Sequence, residues 1–195
     1  MIVKMISVLI LTKNEEVNIS RCLESVAWSD DIVVLDDDSS DRTVEIAKQY
    51  GARVVCHSAG GERDQRSYSL REITFKYPWV YNPDADEVTP PDLRDEMLQV
   101  VADVDRPEVA YRVRFKNMFM GKWLKHSSIY PTWVVRLFRP EKVTFQREIN
   151  LNYEIDGPEG RLQAHFEHYS FNKGLKEWMS AKHNHYSDVK RPRGG

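Results

Sequence analysis

The sequence contains few of the features that mark secreted, disulfide-bonded or membrane-spanning proteins. Only two of its 195 residues are cysteines, Cys22 and Cys56, and neither lies in a CxxC or Cys/His pattern typical of a zinc site. No apolar run approaches the ~18–20 residues that a transmembrane helix needs. The apolar start of the chain lacks the small-residue cleavage site of a secretory signal. We therefore expect a cytoplasmic protein with two buried, reduced cysteines.

An excess of charge of one sign is missing as well. The chain has 28 lysines and arginines against 30 aspartates and glutamates, which gives a formal net charge of −2. Proteins that bind nucleic acid usually present a strongly basic face, so we expect no nucleic-acid partner. No internal repeat or low-complexity linker divides the chain, and its length suits one sizeable core or two small ones.

In the first half of the chain, short apolar segments alternate with segments of helical periodicity. The pattern predicts strands at 6–11, 32–35, 53–56 and 79–81 and helices at 14–26, 43–50, 63–75 and 89–101. Thr89 is the expected N-cap of the last helix, and Gly51 the left-handed cap after the second. Strands that alternate with helices form βαβ units. The predicted fold class is α/β, with a Rossmann-like, mostly parallel central sheet and helices on both faces.

The second half of the chain has a different composition, with strand-like segments separated by Gly, Pro and Asn. Strands are predicted at 109–115, 132–138 and 162–169, followed by a helix at 172–186. We expect a smaller mixed α/β region built onto the same sheet. Residues 1–106 and 107–195 are then two halves of one domain.

Polar residues follow three of the predicted strands, at the point where each strand ends. They occupy 12–16, 36–41 and 82–87. Ligands of open α/β sheets bind beyond the carboxyl ends of the strands. The three clusters are therefore expected to line one site.

The third cluster carries the clearest chemical signal, the pair Asp84 and Asp86. Two carboxylates one residue apart can bind one hard divalent cation, and Mg²⁺ typically takes one or two carboxylates and completes its shell with water and phosphate oxygens. A D-x-D pair alone is more often a solvated loop. Its position directly after the apolar strand 79–81 favours a metal site that binds a diphosphate.

The second cluster allows two interpretations. Asp36 and Asp37 end a strand, where loop carboxylates can reach a base or a ribose hydroxyl. The aspartates of 36–41 can equally cap the helix that follows and stabilise its dipole. We expect both: Asp36 and Asp37 toward a ligand, and Ser40 or Asp41 as the cap.

Taken together, the spaced motifs resemble family 2 glycosyltransferases. They are 7–16 (SVLILTKNEE), 22–25 (CLES), 34–43 (VLDDDSSDRT), 50–54 (YGARV) and 82–87 (NPDADE). Later segments resemble the branch that builds lipopolysaccharide cores and exopolysaccharides, namely 119–123 (FMGKW), 130–131 (YP), 136–139 (RLFR) and 168–170 (HYS). The resemblance implies a GT-A fold, a nucleotide-diphosphate sugar donor, and an acceptor-side half at 107–195.

The resemblance also implies roles for individual residues. Thr12, Asn14 and Glu15 or Glu16 are expected in the nucleotide pocket, Asp36 or Asp37 at the base or ribose, Arg66 and Asp84 facing the nucleotide, and Asp84, Asp86 and His168 at Mg²⁺ or Mn²⁺. Asp86 is the expected direct metal ligand.

Two positions depart from the family pattern. Asp38 stands where a glycine is usual, which is tolerable because Asp also adopts the left-handed conformation. Leu151 stands where this branch usually has a glutamate that acts as the base. An inverting transferase needs a base for the acceptor hydroxyl, and we assign Glu148 to this catalytic role.

The expected function is metal-dependent, inverting transfer of a sugar to a saccharide or lipid-linked acceptor in bacterial surface polysaccharide synthesis. Two alternatives remain open. A sugar-phosphate nucleotidyltransferase would want a glycine-rich loop at 12–16, which has no glycine. A catalytically impaired sugar-nucleotide-binding module is suggested by Leu151. Relatives of this branch usually continue beyond the helix near His183, so we expect a C-terminally truncated chain.

Several further residues have two interpretations. His165 and His168 should lie on opposite faces of one strand, which leaves His168 alone as a metal candidate. Trp123 and Trp133 can stack on sugar rings, although packing is the favoured interpretation. An anionic leaflet can be contacted by Lys122, Lys125, Lys190, Arg191 and Arg193, together with Trp123 and Leu124. That contact would be peripheral, at the cytoplasmic face of the inner membrane.

Overall fold

The computed structural model describes residues 6–60, 62–125, 130–145 and 153–174. In chain order the elements are β1 (Ile6–Thr12), α1 (Ile19–Val26), β2 (Ile32–Asp36), α2 (Thr43–Gln49), β3 (Arg53–Cys56), α3 (Glu62–Glu72), β4 (Trp79–Tyr81), β5 (Glu87–Val88), α4 (Pro91–Ala102), β6 (Ala110–Phe119), β7 (Lys122–Trp123), β8 (Trp133–Phe138), a 3₁₀ turn (Pro140–Lys142), β9 (Val143–Phe145), β10 (Tyr153–Ile155) and β11 (Glu159–His168). Glu148, Leu151 and the predicted helix from residue 175 onward lie outside the described residues.

One sheet of nine strands runs through the described part of the chain, in the order β3-β2-β1-β4-β8-β6-β11-β5, with β7 paired to β6. The strands β3, β2, β1 and β4 are parallel to one another, as predicted for βαβ units. β8 lies antiparallel between β4 and β6, and β11 is parallel to β6. Four strands of the second half, β6, β7, β8 and β11, therefore extend the first sheet, whereas β9 and β10 pair in a separate two-stranded sheet.

Hydrophobic side chains cover both faces of the sheet, which explains why its strands are continuously apolar. Ile6, Val8 and Ile10 of β1 belong to a core cluster with residues of α1 and α4. Leu9 and Leu11 belong to a second cluster on the other face, with residues of β2, β8 and β9. Full burial of one such side chain stabilises the fold by ~1.5–3 kcal/mol.

Two helices begin later than the sequence pattern predicts. α1 begins at Ile19 rather than at residue 14, because Asn14 has a φ of +54° and lies in a loop that bonds to the loop after β2. α4 begins at Pro91 after an extended Pro90, so Thr89 is not its N-cap. The Thr89 hydroxyl instead shares a 3.0 Å hydrogen bond with the buried Tyr81 hydroxyl.

The predictions for single residues are confirmed in part. Gly51 (φ +77°) and Asp38 (φ +50°) adopt the left-handed conformation, as predicted. The residue that caps α2 is Arg42, and the preceding Asp41 accepts the N–H of Thr43 at 3.0 Å. Cys22 is buried, but Cys56 is exposed, which contradicts the expectation that both are core residues. Among the described residues, no helix is both long enough and apolar enough to cross a membrane.

Candidate active site

The three polar clusters lie side by side at the carboxyl edge of the parallel strands. Thr12 at the end of β1 is the register partner of Asp36 at the end of β2. Leu11 forms an isolated parallel bridge with Asp84, just beyond β4. Neighbouring strands are ~4.8 Å apart, so the loops after β1, β2 and β4 form one continuous edge.

Asp36, the last residue of β2, is buried, with 1% of its area exposed. Its Oδ1 accepts hydrogen bonds from the hydroxyls of Thr12 (2.9 Å) and Ser39 (2.5 Å), and its Oδ2 accepts the N–H of Ser39 (2.8 Å). These donors satisfy the carboxylate without a cation. Thr12 and Asp36 thus shape the edge, and their contact with a nucleotide stays a prediction.

Asp37 is bound by groups from two other segments. Lys13 Nζ lies 2.8 Å from Asp37 Oδ2, and the N–H of Ala59 donates to Oδ1 at 2.9 Å. The hydrogen bond from Lys13 is the main cause that lowers the pKa of Asp37, while burial acts against it. Asp37 therefore remains an ionised acceptor near the edge.

Asn14 and Glu16 connect the loop after β1 to the loop after β2. The N–H of Asn14 donates to Ser39 Oγ, and Asn14 Oδ1 accepts the N–H of Ser40, both at 2.8 Å. The N–H of Glu16 donates to Asp41 at 3.1 Å. The first two motifs therefore form one hydrogen-bonded unit, which explains why each needs short polar side chains.

Glu15 connects this unit to the segment that follows β11. Its carboxylate forms a 2.6 Å ion pair with Lys173 and accepts a 2.9 Å hydrogen bond from the amide of Asn18. Asn172 donates in turn to Asn18 at 2.9 Å. Burial raises the pKa of Glu15, although Lys173 acts in the opposite direction. Residues far apart in sequence thus close one side of the edge.

The first carboxylate of the D-x-D pair is bound by two arginines. Arg66 Nη2 donates to Asp84 Oδ1 at 3.2 Å, and Arg136 Nη2 donates to Asp84 Oδ2. Burial alone would raise the pKa of Asp84, but the two guanidinium groups outweigh it and lower the pKa to about 2. Asp84 is therefore ionised at every physiological pH.

Arg136 also binds Glu87, the residue directly after the D-x-D pair. Arg136 Nε and Nη2 donate to the two oxygens of Glu87 at 3.0 and 2.6 Å, a bidentate contact between buried groups. Glu87 Oε2 also accepts the N–H of Asp84 at 3.1 Å. Burial raises the pKa of Glu87 to about 7, and Arg136 offsets only part of that effect. One ion pair therefore fixes both the backbone and the side chain of the turn.

Arg66, predicted to face a nucleotide, is buried and engaged by protein groups. Its Nη1 donates to Asn82 Oδ1 at 2.9 Å and to the Tyr153 hydroxyl at 3.0 Å, in addition to its contact with Asp84. Asn82 is anchored in turn by a 2.7 Å bond from its amide to the carbonyl of Leu9. The side chain of Arg66 thus positions the D-x-D turn, and its contact with a nucleotide stays a prediction.

The second carboxylate of the pair, Asp86, contacts His168. His168 Nε2 lies 3.2 Å from Asp86 Oδ2, while Nδ1 lies 3.1 Å from Asn117 Oδ1. The two ring nitrogens of His168 therefore have different partners, with Nδ1 at the amide oxygen of Asn117 and Nε2 at the carboxylate of Asp86. Burial lowers the pKa of His168, but the bond to Asp86 and the nearby carboxylates outweigh burial, so the pKa is raised.

His165 lies on the other face of β11, as predicted. Its ring is stacked toward Trp123, with 6.4 Å between the ring centroids. Burial lowers the pKa of His165, and Lys116 adds to that effect. His165 and His168 therefore share no site.

The donor set at this edge fits a divalent cation in part. Asp86 and His168 supply a carboxylate and an imidazole in contact, and a cation that keeps phosphate and water ligands needs only one or two protein ligands. Asp84 is committed to its two arginines, and no group of three or more ionisable donors is found in the part of the chain that the structure describes. The predicted set of Asp84, Asp86 and His168 is therefore not assembled as one cluster.

Four residues that complete this arrangement have no role in the sequence-based prediction: Asn82, Glu87, Asn117 and Arg136. Glu87 directly follows the D-x-D pair, and Arg136 interrupts the apolar strand β8, so both carry a signal of a buried ion pair. Asn117 carries none, because it reaches His168 only through the pairing of β6 with β11. The predicted base Glu148 lies outside the described residues.

Comparison with known sequences identifies the family. The family model described as glycosyl transferase family 2 matches residues 7–171. An uncharacterized glycosyltransferase of Rickettsia typhi is 34% identical over 75% of this chain and 50% of its own length. One from Rickettsia bellii is 29% identical over 96% of this chain and 66% of its own. The lipopolysaccharide core biosynthesis glycosyltransferase LpsC of Rhizobium meliloti is 28% identical over 80% of this chain and 58% of its own. The chain thus spans about half to two-thirds of the curated relatives it matches.

Solved structures show the same fold. Staphylococcus aureus TarS, crystallised with UDP-GlcNAc, superposes with a TM-score of 0.60 at 20% identity, over 85% of this chain and 58% of TarS. Glucosyl-3-phosphoglycerate synthase from Mycobacterium tuberculosis, crystallised with Mn²⁺ and UDP, reaches 0.50 at 23% identity, over 58% and 45%. The predicted GT-A architecture is confirmed. With the family match over most of its length, the chain belongs to glycosyl transferase family 2.

Proposed function

We propose that this chain carries the donor-binding centre of an inverting, metal-dependent glycosyltransferase that uses a nucleotide-diphosphate sugar. The observation that carries the proposal is the pairing of Asp86 with His168 next to a separately neutralised Asp84. A carboxylate that already has its counter-ions positions the turn, which leaves Asp86 available for a ligand. This division of roles supports a built site rather than a solvated acidic loop.

The proposed donor follows from the edge on which the site lies. The loops after β1 and β2 supply Thr12, Asn14, Glu15, Asp36 and Asp37 beside the D-x-D turn, and structural relatives hold UDP or UDP-sugars. Asp37, which is ionised and more accessible than Asp36, is the proposed contact for a base or ribose hydroxyl.

The proposed metal is Mg²⁺ or Mn²⁺, held by Asp86 and His168. The bound cation would neutralise the charge that develops on the departing diphosphate. An imidazole ligand favours Mn²⁺, because Mg²⁺ is bound almost always through oxygen. The residues of the chain do the remaining work: Asn117 orients His168, while Arg136 and Glu87 orient the turn.

The proposed acceptor is a saccharide or a lipid-linked saccharide of bacterial surface polysaccharide synthesis, which agrees with the name of the relative LpsC. Glu148 remains the proposed base that takes the proton of the acceptor hydroxyl. A lipid-linked acceptor would place the reaction at the cytoplasmic face of the inner membrane.

The test is Asp86→Ala in the full-length protein, assayed for sugar transfer from nucleotide sugars with Mn²⁺. We expect kcat/KM to fall by roughly 10²–10³-fold, since stabilising charge as it develops is usually the largest catalytic contribution. Asp103 is a surface aspartate whose one ion pair among the described residues is with Arg106. Asp103→Asn is the matched control and should leave transfer unchanged. Transfer that survives Asp86→Ala would show that the mechanism is wrong.

Calorimetric binding measurements and product assays on the wild type distinguish the proposed function from the two alternatives. Donor binding without transfer or donor hydrolysis, in the wild type, would indicate a catalytically impaired binding module. Formation of pyrophosphate from a nucleoside triphosphate and a sugar phosphate would indicate a nucleotidyltransferase. Glu148→Gln should abolish transfer but keep donor binding. Retained transfer would show that another residue is the base.

A further inference from the structure

The hairpin that joins β6 to β7 carries an unusual residue at its tip. Phe119 pairs with Lys122, so the loop contains only Met120 and Gly121. Both loop residues have positive φ, +49° and +74°, which is the pattern of a type I′ turn. Asn, Asp and Gly are the usual residues in such a turn, because an ordinary side chain is strained in the left-handed region.

Met120 is also one of the most exposed large apolar residues in the described part of the chain, with 86% of its area accessible. An apolar side chain in an unfavourable backbone conformation, on the surface, gains nothing for the stability of the isolated fold. A residue that combines an unfavourable backbone conformation with an exposed apolar side chain often indicates a functional constraint. Met120 is therefore a candidate contact residue for a partner outside this chain's core.

Lysines lie on both arms of the hairpin behind this tip. Lys122 and Lys125 are exposed, and the ammonium groups of Lys116 and Lys125 lie 4.8 and 5.4 Å from the ring centre of Trp123. None of the three lysines forms an ion pair within the described residues. Glu167, the register partner of Lys116, instead accepts a 2.7 Å hydrogen bond from the Tyr169 hydroxyl. The hairpin thus has an apolar tip with cationic side chains behind it.

We propose that this hairpin, residues 116–125, docks on a bilayer surface that contains anionic phospholipid. Met120 enters the boundary between headgroups and acyl chains, and Lys116, Lys122 and Lys125 contact lipid phosphates. An apolar group combined with basic groups is the pair of signals that gives stable peripheral binding. Each lysine near an anionic surface strengthens binding by about fivefold.

The shape of the hairpin favours a bilayer over a sugar. A saccharide would need an open aromatic face, but the Trp123 ring has two ammonium groups close to it and the ring of Tyr130 at its edge, 5.3 Å between centroids. A soluble anion would use the lysines and leave Met120 in water. A bilayer uses both.

The test is co-sedimentation of the full-length protein with phosphatidylcholine vesicles, with and without phosphatidylglycerol. We expect binding only to the anionic vesicles, weakened by salt. Met120→Asn should lower the partition coefficient by about tenfold, because it removes the apolar group. The same substitution should leave Tm unchanged or raise it, because Asn suits the turn, so the loss cannot reflect unfolding. Lys122→Gln with Lys125→Gln should lower partition by about 25-fold.

Val104→Asn is the matched control. Val104 is 89% exposed, but it lies between Asp103 and Asp105 rather than among lysines. It should not change partition. Equal binding of wild type and Met120→Asn overturns the proposal. So does a Met120→Asn variant that binds vesicles normally but has a raised KM for a soluble acceptor, since the tip then contacts substrate.

The docking proposal rests on the proposed function in one respect, that a lipid-linked acceptor would lie in the bilayer. Partition is measured without donor or acceptor. Vesicle binding by a chain that transfers no sugar would therefore support the docking proposal and contradict the proposed function. Sugar transfer by a chain that does not bind vesicles would contradict the docking proposal and support the proposed function.

Discussion

Two acidic clusters lie at the carboxyl edge of the sheet, one at the end of β2 and the other beyond β4, with β1 between them. They are stabilised in different ways. In the loop after β2, Asp36 is satisfied by hydroxyls and a backbone N–H, and Asp37 by a surface lysine and a backbone N–H. In the D-x-D turn, Asp84 and Glu87 share the buried Arg136, and Asp84 binds Arg66 as well. Similar composition thus gives two different kinds of structure.

The difference follows from where the charges are neutralised. Hydroxyls and a backbone N–H satisfy Asp36 without burying a second charge, and the charged partner of Asp37, Lys13, is exposed. Buried guanidinium groups come from distant segments, α3 and β8, and their desolvation is costly unless every partner is present. The D-x-D turn therefore depends on buried charges that α3 and β8 supply, whereas the loop after β2 depends on neutral donors and one exposed lysine.

The largest effect expected from this comparison is that of Arg136→Met. The substitution leaves Glu87 buried without its counter-ion, and we expect a loss of about 3–5 kcal/mol in the free energy of unfolding, measured by urea denaturation. Arg42→Met, which removes an exposed ion pair with Glu45, is the control and should change little. The double variant Arg136→Met with Glu87→Leu should recover part of the loss. Wild-type stability in Arg136→Met would remove the distinction between the clusters.

The pH dependence of stability sharpens the same contrast. Because the pKa of Glu87 is raised from 4.5 to about 7 in the folded state, the folded protein keeps a proton that the unfolded chain loses. The stabilisation is complete below pH 4.5 and is lost as pH rises through 7, by about 3 kcal/mol at most. Asp84, with its pKa of about 2, is ionised in both states across this range and contributes nothing to the slope.

The measurement is urea denaturation at pH values across this window, in the presence of a chelator. Glu87→Gln should flatten the profile between pH 4.5 and 7, while Asp37→Asn should leave it unaltered, since the lowered pKa of Asp37 acts only below pH 3.8. A profile in wild type that does not fall over this range would contradict the raised pKa of Glu87.

The smallest of the three effects is expected in the loop after β2. Asp36→Asn places an amide N–H₂ against the donors of Ser39, and we expect a loss of about 1–3 kcal/mol, read from thermal unfolding. Asp38→Asn is the matched control in the same loop, because Asp38 is exposed and Asn tolerates its φ of +50°. A loss in Asp36→Asn as large as that in Arg136→Met would mean that both clusters depend on buried charge.

The sequence pattern predicted most of the first half because the signals there are local. Apolar runs gave the strands β1 to β4, and Asp38 and Gly51 were predicted to adopt the left-handed conformation. The start of α1 was wrong because Asn14 bonds to the loop after β2, a contact that no local propensity contains. The cap of α4 was wrong because the hydroxyl of Thr89 is used by Tyr81.

In the candidate site, too, local signals identified residues but not the contacts between distant segments. Asp84 and Asp86 could be found from their spacing and from the strand before them, and His168 from the resemblance. Their unequal roles could not, because Arg66 and Arg136 reach Asp84 from α3 and β8, and Asn117 reaches His168 from β6. Each of these contacts is made by strand pairing or helix packing between distant segments.

The sequence by itself determined the α/β alternation, the edge at which the polar loops meet, and the family to which the chain is similar. Only the tertiary structure decided which acid is neutralised by arginine, which one contacts a histidine, and which one is enclosed by hydroxyls. The physical reason is that the periodicity of apolar residues is a signal contained in short segments of the chain. The protonation and the partners of a carboxylate depend instead on burial and on charges from distant segments.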